Sequence, residues 1–285
     1  MKDDPSRDVN QSHITGLERR VNVARHFNLL SDVFMSVALR DVDACQYVLR
    51  ILTGQKNLII EKVRTQYQIS SIISHDVKLD VLAEDENRTL YQLEIQRKNT
   101  INHTKRIRLY SSMIDSIFLH KGADYADLPE VYIIYISESD IWKGKCTIYP
   151  IIKEFENCHE PYTDGLHILF INTAIDDGSE AAQLMQYFKN TDPDDMRFGA
   201  LSARIHYLKK EEGGLQEMCE ISEIIYEEGR QDGREEGKQE TQYETALALD
   251  QHGMPIEEIA SILKVSLPQL HEWLTSSIPE VESHS

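Results

Sequence analysis

Two short segments constrain this chain more than any other part of it: VKLDVLA at 77–83 and TLYQLEIQ at 89–96. Both read as strands, and each sets one carboxylate among apolar residues, Asp80 in the first and Glu94 in the second. The residues between them, Glu84-Asp85-Glu86-Asn87-Arg88, are polar and turn-forming, so the pair reads as a β-hairpin. Strand side chains alternate between faces. On that rule Val77, Leu79 and Val81 share one side, with Lys78, Asp80 and Leu82 on the other. On the second strand, Tyr91, Leu93 and Ile95 face one way, and Leu90, Gln92, Glu94 and Gln96 the opposite way. A hairpin symmetric about Asn87 sets Asp80 across from Glu94, where Cβ atoms are about 5 Å apart. Two carboxylates at that separation repel by roughly 3 kcal/mol at an effective dielectric of about 20. A divalent cation between them reverses the sign, and hard oxygen ligands suit Mg²⁺, with Mn²⁺ as a substitute. Gln96 shares the face of Glu94, and its amide is placed to orient a water or a phosphate oxygen. An asymmetric turn would instead leave two solvated acids on an exposed face. That alternative does not explain why Asp80 stands between apolar residues.

A basic strip follows Glu94 at once. Ile95 to Ile114 holds Arg97, Lys98, Lys105, Arg106 and Arg108 and no acidic residue. The whole chain carries a net charge of −18, which on its face disfavours a nucleic-acid partner. The acidity is uneven: residues 1–209 hold 25 Lys+Arg against 30 Asp+Glu, and residues 210–285 hold 5 against 18. Screening confines each charge to within about 10 Å, so a local strip can still meet phosphates. No stretch approaches the roughly 20 apolar residues of a membrane span. The polar N-terminus lacks the apolar core of a signal peptide. Cys45, Cys146, Cys158 and Cys219 are scattered, without paired spacing, as in a reducing compartment. A cytoplasmic protein is expected.

Along the chain, residues 1–28 read as a polar leader. Asp32 to Leu52 has helical periodicity, as one helix or two short ones, and Gly54 sits where a helix ends. A strand is expected over Leu58–Ser70, then the hairpin, then a helix over His103–His120. VYIIYIS at 131–137 reads as a strand buried on both faces. A further strand over His167–Asn172 and a helix over Glu180–Phe188 follow. This order implies an α/β core with a mixed central sheet flanked by helices.

The segment HDVKLDVLAEDENRTLYQLEIQRKN resembles the core of the PD-(D/E)xK nuclease superfamily, and most of all its Rpn branch of recombination-promoting nucleases and transposases. LLSDVFM before it, RIRLYSSMID after it and VYIIYISESDIW extend the resemblance over roughly residues 28–215. The resemblance implies a restriction-endonuclease-like core with a four-stranded mixed sheet, and Mg²⁺-dependent hydrolysis of DNA phosphodiesters. It implies metal ligation by Asp80 and Glu94. It places Gln96 where the superfamily has its namesake lysine, which removes a cation from the reacting phosphate and leaves that role to Lys98, Arg106 or the metal. His103, Arg106 and Tyr110 lie on one face of the following helix. Arg106 or Arg108 is placed to hold a phosphate, and Tyr110 to bond a ligand carboxylate; pairing of an arginine with Asp115 is the alternative. Asp32 begins the first helix, where superfamily members often set an acid near the metal, although a helix N-cap is also a sufficient role for it. His75 and Asp76 suit a turn at the strand edge. The other class of reading is a nuclease fold that has lost catalysis and serves as a DNA-binding or assembly module.

On this reading the nuclease-like domain spans 29–212, a charged helical linker 213–252 and a small helical module 253–285. The linker carries glycines at 229, 233 and 237 between an acidic stripe and a basic one. Each glycine costs about 1 kcal/mol relative to alanine in a helix, so the linker either frays or finds a partner such as a second copy of the chain. PIEEIASILKVSLPQLHEWL has the outline of a helix-turn-helix, with Ser266 and Gln269 as a capping box. Its second helix offers Gln269, His271 and Glu272 and no Lys or Arg. That set suits packing or assembly better than DNA reading.

Overall fold

The computed structural model describes residues 26–69, 77–97, 103–119 and 122–276. The chain divides into two compact units, residues 1–222 and 223–285.

The first unit is built on a six-stranded sheet: β1 (Ile60–Ile69), β2 (Val77–Asp85), β3 (Leu90–Gln96), β4 (Val131–Ser137), β5 (Ile148–Pro150) and β6 (Leu166–Asn172). Their order is β1-β2-β3-β4-β6-β5, with β3, β4 and β6 parallel and the other neighbours antiparallel. The four-stranded sheet expected from the resemblance is thus extended. The sequence pattern does not announce β5, which is three residues long and ends on Pro150, a residue tolerated at a sheet edge. Helices cover both faces. One face carries α1 (Asp32–Leu39), α2 (Val42–Thr53), α4 (Glu180–Asn190) and α5 (Gly199–Lys210); the other carries α3 (His103–Phe118). The continuous apolar run of β4 follows from this layering. Ile134 and Ile136 enter the first core, and Val131, Ile133 and Tyr135 the second.

Local chemistry fixes the ends of these elements. Asp41 caps α2 by accepting the Ala44 N–H at 2.9 Å, and Gly54 ends it with φ +72°, open to glycine without strain. Ser179 caps α4, which ends on Thr191 in the left-handed region. Thr191 is a junction: its Oγ1 accepts the Leu29 N–H at 2.8 Å, and its carbonyl accepts from the buried Lys209 ammonium at 2.9 Å. The turn between β2 and β3 is organised by Asp85. Oδ1 accepts the Asn87 and Thr89 N–H groups at 2.9 and 2.8 Å, and Oδ2 accepts the Tyr91 hydroxyl at 3.2 Å.

That turn sets the register the sequence suggested. Leu82 faces Gln92, Ala83 faces Tyr91 and Glu84 faces Leu90, all symmetric about Asn87. The expected alternation along β2 does not hold throughout. Val81 and Ala83 pack in the core against α1 and α2, whereas Val77 and Leu79 pack in the core against α3, so β2 divides at Asp80. On β1, Thr65 and Tyr67 pair with Val81 and Leu79, and Gln66 between them has φ +52°, a local distortion of the ladder beside Asp80.

The second unit takes in most of α6 (Glu212–Gln251) with α7 (Ile256–Leu263) and α8 (Leu267–Ser276). α6 is a continuous 40-residue helix that its glycines do not interrupt. Ala246, Ile259, Ala260 and Leu270 form a small core, and Tyr243 meets Trp273 edge to face at 5.9 Å. Ser266 Oγ accepts the Gln269 N–H at 3.4 Å, the Ser266 half of the expected capping box. No described helix is long and apolar enough to cross a membrane.

Asp85→Ala removes three bonds from the turn that holds the hairpin in register. It should cost about 2–3 kcal/mol, with Asp85→Asn milder, in urea denaturation monitored by circular dichroism. A loss below about 0.5 kcal/mol would show that the register is fixed elsewhere.

Candidate active site

All seven residues of β3 are buried, although three of them, Gln92, Glu94 and Gln96, are polar and share the face toward α3. Glu94 is only 2% exposed. A buried carboxylate needs partners, and α3 supplies them. Arg106 donates through one amino group to Glu94 Oε1 at 2.6 Å, through the other to Gln96 Oε1 at 2.6 Å, and through Nε to the Tyr110 hydroxyl. Tyr110 in turn donates to Glu94 Oε1 at 3.0 Å. Arg106 and Tyr110 are four residues apart and reach the same oxygen, as helical neighbours can. The other oxygen, Oε2, accepts one long bond of 3.3 Å from Gln92 Nε2.

Asp80 stands where the β2–β3 ladder ends. The last pair of that ladder is Val81 with Leu93, and one step on, the register sets Asp80 opposite Glu94. Here a side chain takes over from the ladder, and Asp80 Oδ2 accepts the Ile95 N–H at 3.1 Å. Burial raises the Asp80 carboxyl above its ordinary range; the Ile95 bond lowers it, and the negative charge of Asp32 raises it further. Burial also raises Glu94, and the charge of Asp80 adds to the rise, while Arg106 and the Tyr110 bond pull it back. The net direction is upward for both: the folded protein disfavours the doubly charged pair.

Asp32 therefore belongs to the site's electrostatic surroundings. It is the first residue of α1, and Ser31 rather than Asp32 occupies the N-cap position. A short chain of bonds ties this helix to β1: Ser36 Oγ donates to Asp32 O at 2.7 Å and accepts from Gln66 Nε2 at 2.6 Å. Arg108, two residues from Arg106, lies about 200° round the helix from it and is exposed, off the face that meets Glu94. Arg106 pairs with Glu94, so the expected alternative pairing to Asp115 is not the one formed. Lys98, His75 and Asp76 lie outside the described residues. His103 turns to Tyr135, its Nδ1 at 2.7 Å from the hydroxyl, at the edge of the same group. Gln92 is a site residue that the motif alone does not single out. Its one signal in the sequence is a polar side chain on the face of Glu94 in a strand of mostly apolar residues.

No group of three or more His, Cys, Asp or Glu side chains among the described residues is arranged to hold an ion. The donor set nevertheless fits a hard divalent cation. A half-buried carboxylate, Asp80, is brought together with a buried one, Glu94, and among the described residues each keeps an oxygen that the strong bonds leave open, Asp80 Oδ1 and Glu94 Oε2.

A family model described as PD-(D/E)XK nuclease family transposase matches residues 50–251. No curated protein matches the chain. Among solved structures, a chain of the half-complex from the tetradecameric assembly of Thermococcus gammatolerans McrB AAA+ hexamers with bound McrC aligns at 12% identity and a TM-score of 0.24. The alignment covers 50% of this chain and 30% of that one, too slight a likeness to support any inference.

A carboxyl whose pKa is raised in the fold stabilises it fully below the unfolded pKa and loses that contribution as pH rises through the folded value. In EDTA the protein should therefore lose stability as pH climbs from the ordinary carboxylate range toward neutrality, and Asp80→Asn should flatten the decline. Mg²⁺ at a hundredfold excess over its Kd should add about 2.7 kcal/mol to the wild type and nothing to Asp80→Asn. Melting curves across this pH range, with EDTA and with Mg²⁺, check both effects; equal Mg²⁺ shifts in the two proteins would place the cation elsewhere.

Proposed function

Because the chain belongs to the PD-(D/E)XK nuclease family transposases, with a restriction-endonuclease-like α/β fold, we propose that it is a Mg²⁺-dependent DNA endonuclease of the cytoplasm, acting in recombination or mobile-element biology. The observation that carries this reading is the meeting of a half-buried Asp80 and a buried Glu94 at the end of the hairpin ladder, with Arg106 beside them. Asp80 and Glu94 would hold the cation, which supplies Lewis-acid polarisation of the phosphodiester and a more acidic water as nucleophile.

The chain's own residues set up the rest. Arg106 and Tyr110 fix Glu94 through one oxygen, so that the second, which accepts only the long bond from Gln92, would be the one to meet the cation. Gln96 in place of lysine brings no charge to β3, and Arg106 brings one to the same spot from α3 through its bond to Gln96 Oε1. A guanidinium has five N–H donors, and three of those of Arg106 are engaged within the site. Its side chain is 41% exposed, so the remaining donors are available to a phosphate oxygen. Lys105 and Arg108, exposed on α3, extend the positive charge along the helix, and Lys98 precedes it in sequence.

The test is cleavage of supercoiled plasmid with Mg²⁺ or Mn²⁺. Asp80→Ala and Glu94→Ala should each lower the rate on the order of 10²-fold or more, the scale of losing several kcal/mol of charge stabilisation. Cleavage by wild type and Asp80→Ala alike would reject the assignment. Cleavage by neither, with DNA binding intact, would favour a fold that binds DNA without cutting it. In Ca²⁺, replacing Arg106 and Arg108 by Ala should weaken DNA binding and reduce the slope of log affinity against log salt by about 0.9 for each phosphate no longer neutralised. An unchanged slope would turn both arginines away from DNA.

A further inference from the structure

Gln92 lies on the face of β3 that carries Glu94 and Gln96, and it is fully buried. It sits opposite Leu82 on β2 and beside Ile133 on β4, both apolar and both in the core against α3. Its Nε2 donates to Glu94 Oε2, the oxygen that Arg106 and Tyr110 leave alone. Its Oε1 is buried and accepts no hydrogen bond from the described residues. An unsatisfied buried acceptor destabilises a fold, because the water it gave up is not replaced. A leucine here would carry no such cost and would pack with Leu82 and Ile133. For folding alone, the amide offers one long bond to Glu94 Oε2 set against an orphaned carbonyl.

We propose that Gln92 is a third oxygen donor of the cation site formed by Asp80 and Glu94. The proposal rests on the metal-dependent reading above. The two ends of an amide exchange by a half-turn of the terminal torsion, and the partner decides which end faces it. Beside a carboxylate alone, the NH₂ end faces Glu94 Oε2. Beside a divalent cation held by the two carboxylates, the NH₂ end is repelled, and the carbonyl end becomes a hard ligand of the ordinary kind. The resulting set is two carboxylates and one neutral carbonyl, with the remaining positions open to water and phosphate oxygens. A neutral third donor also avoids adding charge where Asp32 is already felt by both acids.

The experiment is calorimetric titration of the full chain with Mn²⁺, with melting curves in EDTA, for wild type, Gln92→Leu, Gln92→Glu and Asp80→Ala. Gln92→Leu should bind Mn²⁺ on the order of tenfold more weakly, while melting in EDTA at or above the wild-type temperature because the orphan oxygen is gone. Gln92→Glu, nearly the same shape, should move both readouts the other way, with tighter Mn²⁺ binding and a lower melting temperature in EDTA. Should Gln92→Leu fail to fold, the Gln92→Glu pair of shifts decides. Wild-type Mn²⁺ affinity in the Gln92 variants, with binding lost in Asp80→Ala, would overturn the role of Gln92 and leave the metal site standing. No Mn²⁺ binding by the wild type would overturn both.

Discussion

The first unit is organised around a carboxylate in a place where a carboxylate is hard to keep. Glu94 lies in a strand with neighbours on both edges and a helical layer on each face, so water cannot solvate it. Desolvating a charge costs several kcal/mol unless bonds replace the lost water. The replacements come chiefly from one direction, as Arg106 and Tyr110 on α3 converge on a single oxygen. Helix α3 is therefore held by this ion pair as well as by the contacts of Ile107, Met113 and Ile114. An apolar residue at 94 would relieve the cost and take away the reason for Arg106 to be there.

This arrangement separates two tasks that one residue could have combined. A lysine on the strand two residues beyond the glutamate would bring positive charge to the site directly. Here the strand position is a neutral glutamine, and the charge arrives from a helix whose arginine is also tied to the glutamate and to a tyrosine. The planar guanidinium can serve several acceptors at once in fixed directions, which an ammonium on a flexible stem cannot. The arginine's charge is thus oriented by Glu94 itself, and a change at Glu94 disturbs both.

Much of this is legible in the sequence because it depends on short-range chemistry. The hairpin register follows from five polar residues between two apolar runs, and Asp85 proves to be the one whose side chain ties the turn. The double-sided burial of β4 follows from its nearly unbroken apolar run, and the end of α2 from Gly54. What stays open in the sequence depends on contacts between distant segments. The pairing of Arg106 with Glu94 rather than Asp115 is decided by which side of α3 meets the sheet. The closeness of Asp32 to both acids depends on packing of α1 across β1. The division of β2 at Asp80 accompanies a positive φ at Gln66, a residue type that gives no warning of it. β5 is too short to show a period at all.

The Thr191 junction has a consequence for how the molecule comes into being. The segment leading into α1 is bonded to the far end of α4, through Leu29 to Thr191 and Asn28 to Lys189, and Arg204 on α5 donates to the Val37 carbonyl. These bonds span more than 160 residues of chain, whereas the β2–β3 hairpin closes over a handful. Such long loops form late, since their closure entropy is lost before the contacts can offset it. On a ribosome the hairpin with Asp80 and Glu94 can form early. Helix α1, which carries Asp32, can meet β1 early through Ser36 and Gln66, but gains the last of its contacts only after Arg204 has emerged. The seat of the helix that carries Asp32 is thus closed by the last part of the domain to be made, and a partly synthesised chain holds the two central carboxylates beside a helix that lacks its final bonds.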